Sequence, residues 1–457
     1  MKSKRCFYTR NSTIPFSHKM NGKWWKHLFI FHFSFFVLLL LGSCGEDRTY
    51  EYEEKTACDH WILSAMQDNY IWRDSIKVDK LGWKDYFAKP ATFFSKLTAF
   101  APITDDYSWC EIDTINEDHH VRGNFNHLDS YGMDFYVMTD PTGATSRQYA
   151  RVVTVFPDSP AQRCGLKRGD FIGIIDNTRF TSSHTKDLVN GSSHTLIVSR
   201  LGMNAEGFEW ISTDTLTIES SQYVEDHAFP IYKTFGTNYG KVCYLMCNRL
   251  IEGPTERNSS SNAYREEMLS YMSKIKGENP YALILDLRLC NDGSFNMART
   301  LASYLVNDID DTSVFEKTIY HKSRSDLNAE YTYESEGLSN NLGLKELVFI
   351  TSQYTKGAAE WLIRGISASM GEQYVSIYGT TTEGQIVVTE AIKSSHYVTL
   401  HPAVAFVADG NGNYDYSSGI EPTFDFDEMN FPFLNPYGDE SELVLDVILQ
   451  EFGYNSH

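Results

Sequence analysis

The chain has 457 residues, 42% hydrophobic and 22% charged, and a formal net charge of −20 at pH 7. That length supports two or three domains with a sizeable core, and so acidic a surface repels nucleic-acid phosphates, which excludes DNA or RNA as a partner. The basic residues of the first 43 positions are Lys2, Lys4, Arg5, Arg10, Lys19, Lys23 and Lys26, with no Asp or Glu among them, so the body is more acidic than the whole.

Residues 1–43 read as a secretion signal. Lys23-Trp24-Trp25-Lys26 precedes the apolar run Leu28 to Leu41, which is short for a membrane span. Met20 to Ser43 already makes a complete signal peptide, which marks 1–19 as an upstream mis-start. Leu41-Gly42-Ser43-Cys44 resembles a bacterial lipobox. Cleavage before Cys44 and acylation of its sulfur would tether the protein to a membrane, since each buried methylene contributes about 0.8 kcal/mol. Gly45-Glu46-Asp47 resembles the export signals of surface lipoproteins in Bacteroidetes-type bacteria. The expected location is the envelope of a Gram-negative cell, with leaflet and cell surface left open.

Six cysteines follow Cys44: Cys58, Cys110, Cys164, Cys243, Cys247 and Cys290. An oxidising compartment permits disulfides, and six cysteines allow fifteen connectivities. Cys243 and Cys247 share a strand face but lie too far apart to bond easily. No spacing fits a zinc site, the histidines form no ligand cluster, and most of the thiols read as small buried hydrophobes. No cofactor or metal is expected.

After a polar tether at 45–55, residues 56–128 read as a small helical domain, with Trp61, Ile62, Ala65, Met66 and Tyr70 near helical spacing. In 129–220, Val152 to Phe156 reads as a strand and Ser159-Pro160-Ala161 as a capped helix start. Gly165 closes that helix, and Leu166-Lys167-Arg168-Gly169-Asp170 turns into the strand Phe171 to Ile175. This order resembles a PDZ domain. The resemblance implies that Gly132, Met133 and Asp134 lie in the loop that receives a peptide C-terminal carboxylate, with the peptide added as a strand beside it.

Residues 235–450 read as an open α/β core. Strands are expected at Lys241 to Leu250, Ala282 to Leu287 and Leu347 to Thr351. Helices are expected at Asn262 to Lys276, with Met268, Tyr271, Met272 and Ile275 on one face, and at Ala358 to Met370. Asp409-Gly410-Asn411-Gly412-Asn413-Tyr414-Asp415 resembles the start of a calcium loop but lacks glycine at its sixth position, so a hairpin loop is expected.

Three segments carry a further resemblance: Leu285-Asp286-Leu287-Arg288, the Glu360 helix start, and Gly379-Thr380-Thr381-Thr382-Glu383-Gly384-Gln385, closed by Gly419-Ile420-Glu421-Pro422. Together with the PDZ-like pattern they resemble the S41 serine peptidases, the tail-specific or C-terminal processing proteases. The resemblance covers residues 56–450 and implies a multidomain α+β and α/β chain: helical segment, PDZ domain and a ClpP/crotonase-like core. In that family a serine lies three residues before the Glu, and a neutral lysine base ends the Gly-x-x-Thr-x-Gly-Lys frame. Here those positions hold Gly357 and Gln385.

The glycine-rich loop that would help form an oxyanion hole is Leu289-Cys290-Asn291-Asp292-Gly293. Asn291 and Asp292 replace two glycines, and an Asp there is expected to oppose a developing oxyanion. Neither Lys356, Ser352 nor Cys290 is placed to rescue catalysis. The expected function is therefore a catalytically degenerate member that binds peptide or protein C-terminal tails. An active endopeptidase and a purely structural lipoprotein are the alternatives.

Overall fold

The computed structural model describes residues 49–112, 129–204, 207–254, 261–431 and 433–454. Cys44 and residues 1–43, where a secretion signal is expected, lie outside them. The chain divides into two compact units, 1–57 and 58–457, and nearly all described structure belongs to the second.

The first helix, α1 (Thr49–Asn69), starts within the expected tether and runs through the expected helical segment. A second, α2 (Pro90–Thr98), has Pro at its first turn, where the missing N–H costs nothing. The segment is not purely helical: β1 (Trp109–Ile112) pairs antiparallel with residues 398–401. From position 58 on it also lacks a core of its own. Ile62, Met66, Phe93, Phe94 and Leu97 join the apolar cluster of the α/β core, because so small a segment buries too little apolar surface to stand as a separate domain. Residues 113–128 lie outside the described part.

A β-rich module follows. Its short strand β2 (Asp129–Ser130) pairs with residues 222–223. Next come β3 (Met133–Thr139), β4 (Gln148–Val155), the helical turn α3 (Pro160–Arg163), β5 (Phe171–Ile175) and β6 (Thr178–Arg179). The long hairpin β7 (His194–Asn204) and β8 (Gly207–Ile218) and the short β9 (Gln222–Tyr223) complete it. The sheet order is β3-β4-β5-β7-β8, which leaves β3 at an edge. The Ser159 hydroxyl caps α3 by accepting from the Gln162 amide, as its sequence predicts.

The core sheet runs β10 (Ile231–Thr237), β11 (Gly240–Met246), β12 (Ala282–Asp286), β15 (Glu346–Thr351), β16 (Val375–Gly379) and β21 (Phe424–Asp425). All neighbours are parallel except the β10–β11 hairpin. Between β12 and β15 the chain forms β13 (Val314–Tyr320) and β14 (Ala329–Thr332). These join β17 (Val387–Thr389) and β20 (Ala403–Asp409) in a second sheet, while β18 (Ile392–Lys393) and β19 (Val398–His401) join β1.

Strand alternation divides the core. Cys243, Leu245, Leu283, Leu285, Leu347 and Phe349 face one cluster with Met268, Met272 and Ile275 of α4 (Ala263–Glu278) and Leu301 of α5 (Phe295–Leu305). Val242, Tyr244, Ile284, Val348 and Ile350 face the other, against the C-terminal helix Leu443–Glu451. Between β14 and β15 lies α6 (Ser335–Ser339), and after β15 comes α7 (Ala358–Met370), with the bounds its sequence predicts.

A buried charge cluster joins module and core. The Arg168 Nη2 lies 2.6 Å from Glu428 Oε1, and Arg288 Nη1 reaches Glu428 Oε2 at 2.5 Å and Glu442 Oε1 at 3.0 Å. Both guanidiniums stack over the Tyr437 ring. The Asp409 loop is a turn, not a hairpin: Asp409 Oδ1 accepts from the Asn411 and Asn413 amides, and the chain then leaves this sheet for β21. The side chain satisfies the turn's own amides, which is why an Asn-Gly-rich sequence closes here without a returning strand.

Candidate functional site

Parallel strands β12, β15 and β16 end on the same side, and the loops beyond them are tied together. The Thr355 hydroxyl donates to Leu287 O at 2.8 Å and accepts from the Ser352 amide at 2.9 Å. The Ser352 hydroxyl donates to Arg288 O at 2.6 Å, and the Lys356 amide donates to Cys290 O at 3.1 Å. Ser352 is thus a strap between loops and not a nucleophile.

Gly357 follows with φ 59° and ψ −119°. Only glycine adopts that backbone without strain, and such positions are concentrated at functional sites. A Cβ built on Gly357 would lie 3.2 Å from Gln385 Oε1 and 3.7 Å from its Nε2. The two positions that the sequence assigns to nucleophile and base therefore face each other across van der Waals distance.

Glu360 holds them there. Its Oε2 accepts from the Gly357 amide (3.0 Å) and the Gln385 amide (2.7 Å). Its Oε1 accepts from the Gly384 amide (2.6 Å) and the Thr382 hydroxyl (2.5 Å). The residue is fully buried, and burial lifts its carboxyl to about 7 although all four donors pull the other way. In the sequence Glu360 marks only a helix start. Its second role, stitching 357 to 382–385, depends on the fold.

Three aromatic side chains wall the Gln385 loop. Trp361 Nε1 donates to Gln385 O at 3.1 Å, Tyr107 OH to Gly384 O at 2.7 Å, and Tyr416 OH reaches Gln385 O at 3.5 Å. The Gln385 side chain donates through Nε2 to Val387 O at 3.2 Å, which turns Oε1 toward Gly357.

The glycine-poor loop packs against this pair. A Cβ on Gly293 would meet Ala358 Cβ and Leu250 Cβ, each at 2.7 Å, so only glycine lets the loop approach α7 so closely. Asp292 does not stand as a free charge. Both its oxygens lie 3.0 Å from Nε of the buried Arg249. That ion pair corrects the expectation that Asp292 opposes negative charge in the cleft; Arg249, which supplies the compensation, carries no local sequence signal. Asn291 is half-buried beside it. Among the described residues no group accepts from the amides of Gly293 or Ala358. Cys290 is fully buried, and the adjacent Cys247 thiol together with burial pushes its own thiol well above the ordinary range, which makes it a poor nucleophile.

The proposed carboxylate loop of the β module is more committed than its sequence suggests. The Gly132 amide donates to the Ser130 hydroxyl at 3.2 Å, the Tyr131 amide to Val189 O at 3.1 Å, and the Met133 side chain is buried. Asp134 is half-buried on β3, opposite Thr154. Among the described residues no strand pairs with the outer edge of β3.

Comparison with known proteins supports the geometry. A candidate S41 protease from Bacteroides fragilis superposes with a TM-score of 0.74 at 24% identity, covering 86% of this chain and 96% of that one. The photosystem II D1 C-terminal processing protease matches with a TM-score of 0.50 at 16% identity, covering 86% and 97%. The fold is that of the processing proteases. Residues 243–426 match the sequence profile of peptidase family S41, and this core belongs to that family. No curated protein matches the chain.

Proposed function

We propose that this protein is an exported lipoprotein, anchored through Cys44, that holds peptide segments in an S41-type cleft without cleaving them. One observation carries the reading: Gly357 and Gln385, the positions that the family resemblance assigns to serine and lysine, face each other and are held in register by Glu360. Glycine offers no nucleophile and an amide offers no base. Losing either essential group of such a unit removes most of the rate.

The β module is read as a PDZ-like domain. Its edge strand β3 suits a peptide tail added as a further strand. The D1 processing protease acts, by its name, on a C-terminus, and we extend tail recognition, though not processing, to this chain.

The test incubates the protein with unfolded proteins and with peptides bearing apolar C-termini, reading products by mass spectrometry. A Gly357→Ser, Gln385→Lys double variant runs alongside. The expected result is binding without products for the wild type. Cleavage by the wild type, or a covalent serine-probe adduct in 350–360, would establish an active endopeptidase instead.

A further inference from the structure

Resting on that reading, we infer that the vacated cleft selects an intact peptide amide over a terminal carboxylate. Two features set the selection. On one side lie the amides of Gly293 and Ala358, residues whose β positions would come within 2.7 Å, and both are donors with no acceptor among the described residues. On the other lies Gln385 Oε1, an acceptor with no donor among the described residues, 3.2 Å from a Cβ on Gly357. A peptide group complements both: its carbonyl oxygen accepts and its N–H donates.

A carboxylate offers only acceptors. Its second oxygen would oppose Gln385 Oε1. Rotating the Gln385 amide does not relieve this, because Oε1 would then face Val387 O, which now accepts from Nε2 at 3.2 Å. The positive end of α7 normally favours an anion. Here Glu360, in its first turn, already takes the Gly357 amide and places a buried carboxyl behind the cleft. The Trp361, Tyr107 and Tyr416 wall limits the water that could otherwise screen the mismatch.

The experiment uses the full chain and one apolar photoreactive peptide in three forms: free acid, C-terminal carboxamide, and extended at both ends. Affinity is read by fluorescence anisotropy and location by mapping crosslinks. The carboxamide and extended forms should crosslink within 290–294, 356–361 and 384–387, binding there roughly tenfold tighter than the free acid. Gln385→Lys should reverse that order, and Gln385→Glu, nearly isosteric, should sharpen it. Equal or tighter occupancy of the cleft by the free acid overturns this inference while leaving peptide holding intact. If all three forms crosslink only along β3, or nowhere, the peptide-holding reading of the cleft fails and the inference falls with it.

Discussion

Placing a side chain at Gly357 tests the backbone and the Gln385 contact together. Gly357→Ala forces a non-glycine residue to φ 59° and ψ −119°, at a cost of about 1–3 kcal/mol. Its Cβ also presses on Gln385 Oε1 at 3.2 Å, so that side chain must give by a few tenths of an ångström. Gly357→Ser meets the same strain, but its hydroxyl can donate to Gln385 Oε1 and recover about 1 kcal/mol. The expected order of stability is wild type, then Ser, then Ala. Removing the acceptor with Gln385→Ala should erase the gap between Ser and Ala in a double-mutant cycle. Urea unfolding followed by tryptophan fluorescence measures all six proteins. An Ala variant within about 0.5 kcal/mol of the wild type would refute the backbone strain, and a gap that survives without Gln385 would refute the hydrogen bond.

Three further outcomes follow from the same structure. Gly293→Ala drives a methyl group into Ala358 and Leu250 at 2.7 Å and should cost about 1–3 kcal/mol in thermal or urea unfolding; an unchanged midpoint would mean that the loop does not pack on α7. Burial raises Glu360 from an ordinary 4.5 to about 7, so its stabilising contribution is complete below about 4.5 and lost as pH rises through 7. Relative to Glu360→Gln, the wild type should lose up to about 3 kcal/mol between pH 5 and 8; parallel pH curves would contradict this. Glu428 behaves oppositely: burial raises it, but Arg288 and Arg168 overcome burial and hold it well below the ordinary range. Its contribution is present above the ordinary carboxylate range and lost as pH falls below it. Arg168→Ala should cost about 3–5 kcal/mol and move the acid-unfolding midpoint upward, which circular dichroism across a pH series would show.

Much of the local structure is encoded by neighbouring residues. The strand Phe171–Ile175, the Ser159 cap and the full span of helix Ala358–Met370 could be read from periodicity and capping chemistry alone. The frame between Glu360 and Gly384 is equally local, and through it the family resemblance assigns Gly357 and Gln385 to the nucleophile and base positions. It could not show that Asp292 is neutralised. Arg249 lies 43 residues away and meets Asp292 only because β11 and β12 are adjacent and parallel. Likewise Tyr107 reaches Gly384 across 277 residues, a contact created by the pairing of β1 with β19 and invisible to any window. Nor could sequence show that Gly132 donates its amide to Ser130, or that the helical segment would share its core with the α/β sheet. Local hydrogen bonding and apolar periodicity fix elements. Which polar groups meet across them is decided by sheet order and loop convergence, and here that convergence gives Gly357 and Gln385 a common floor in Glu360.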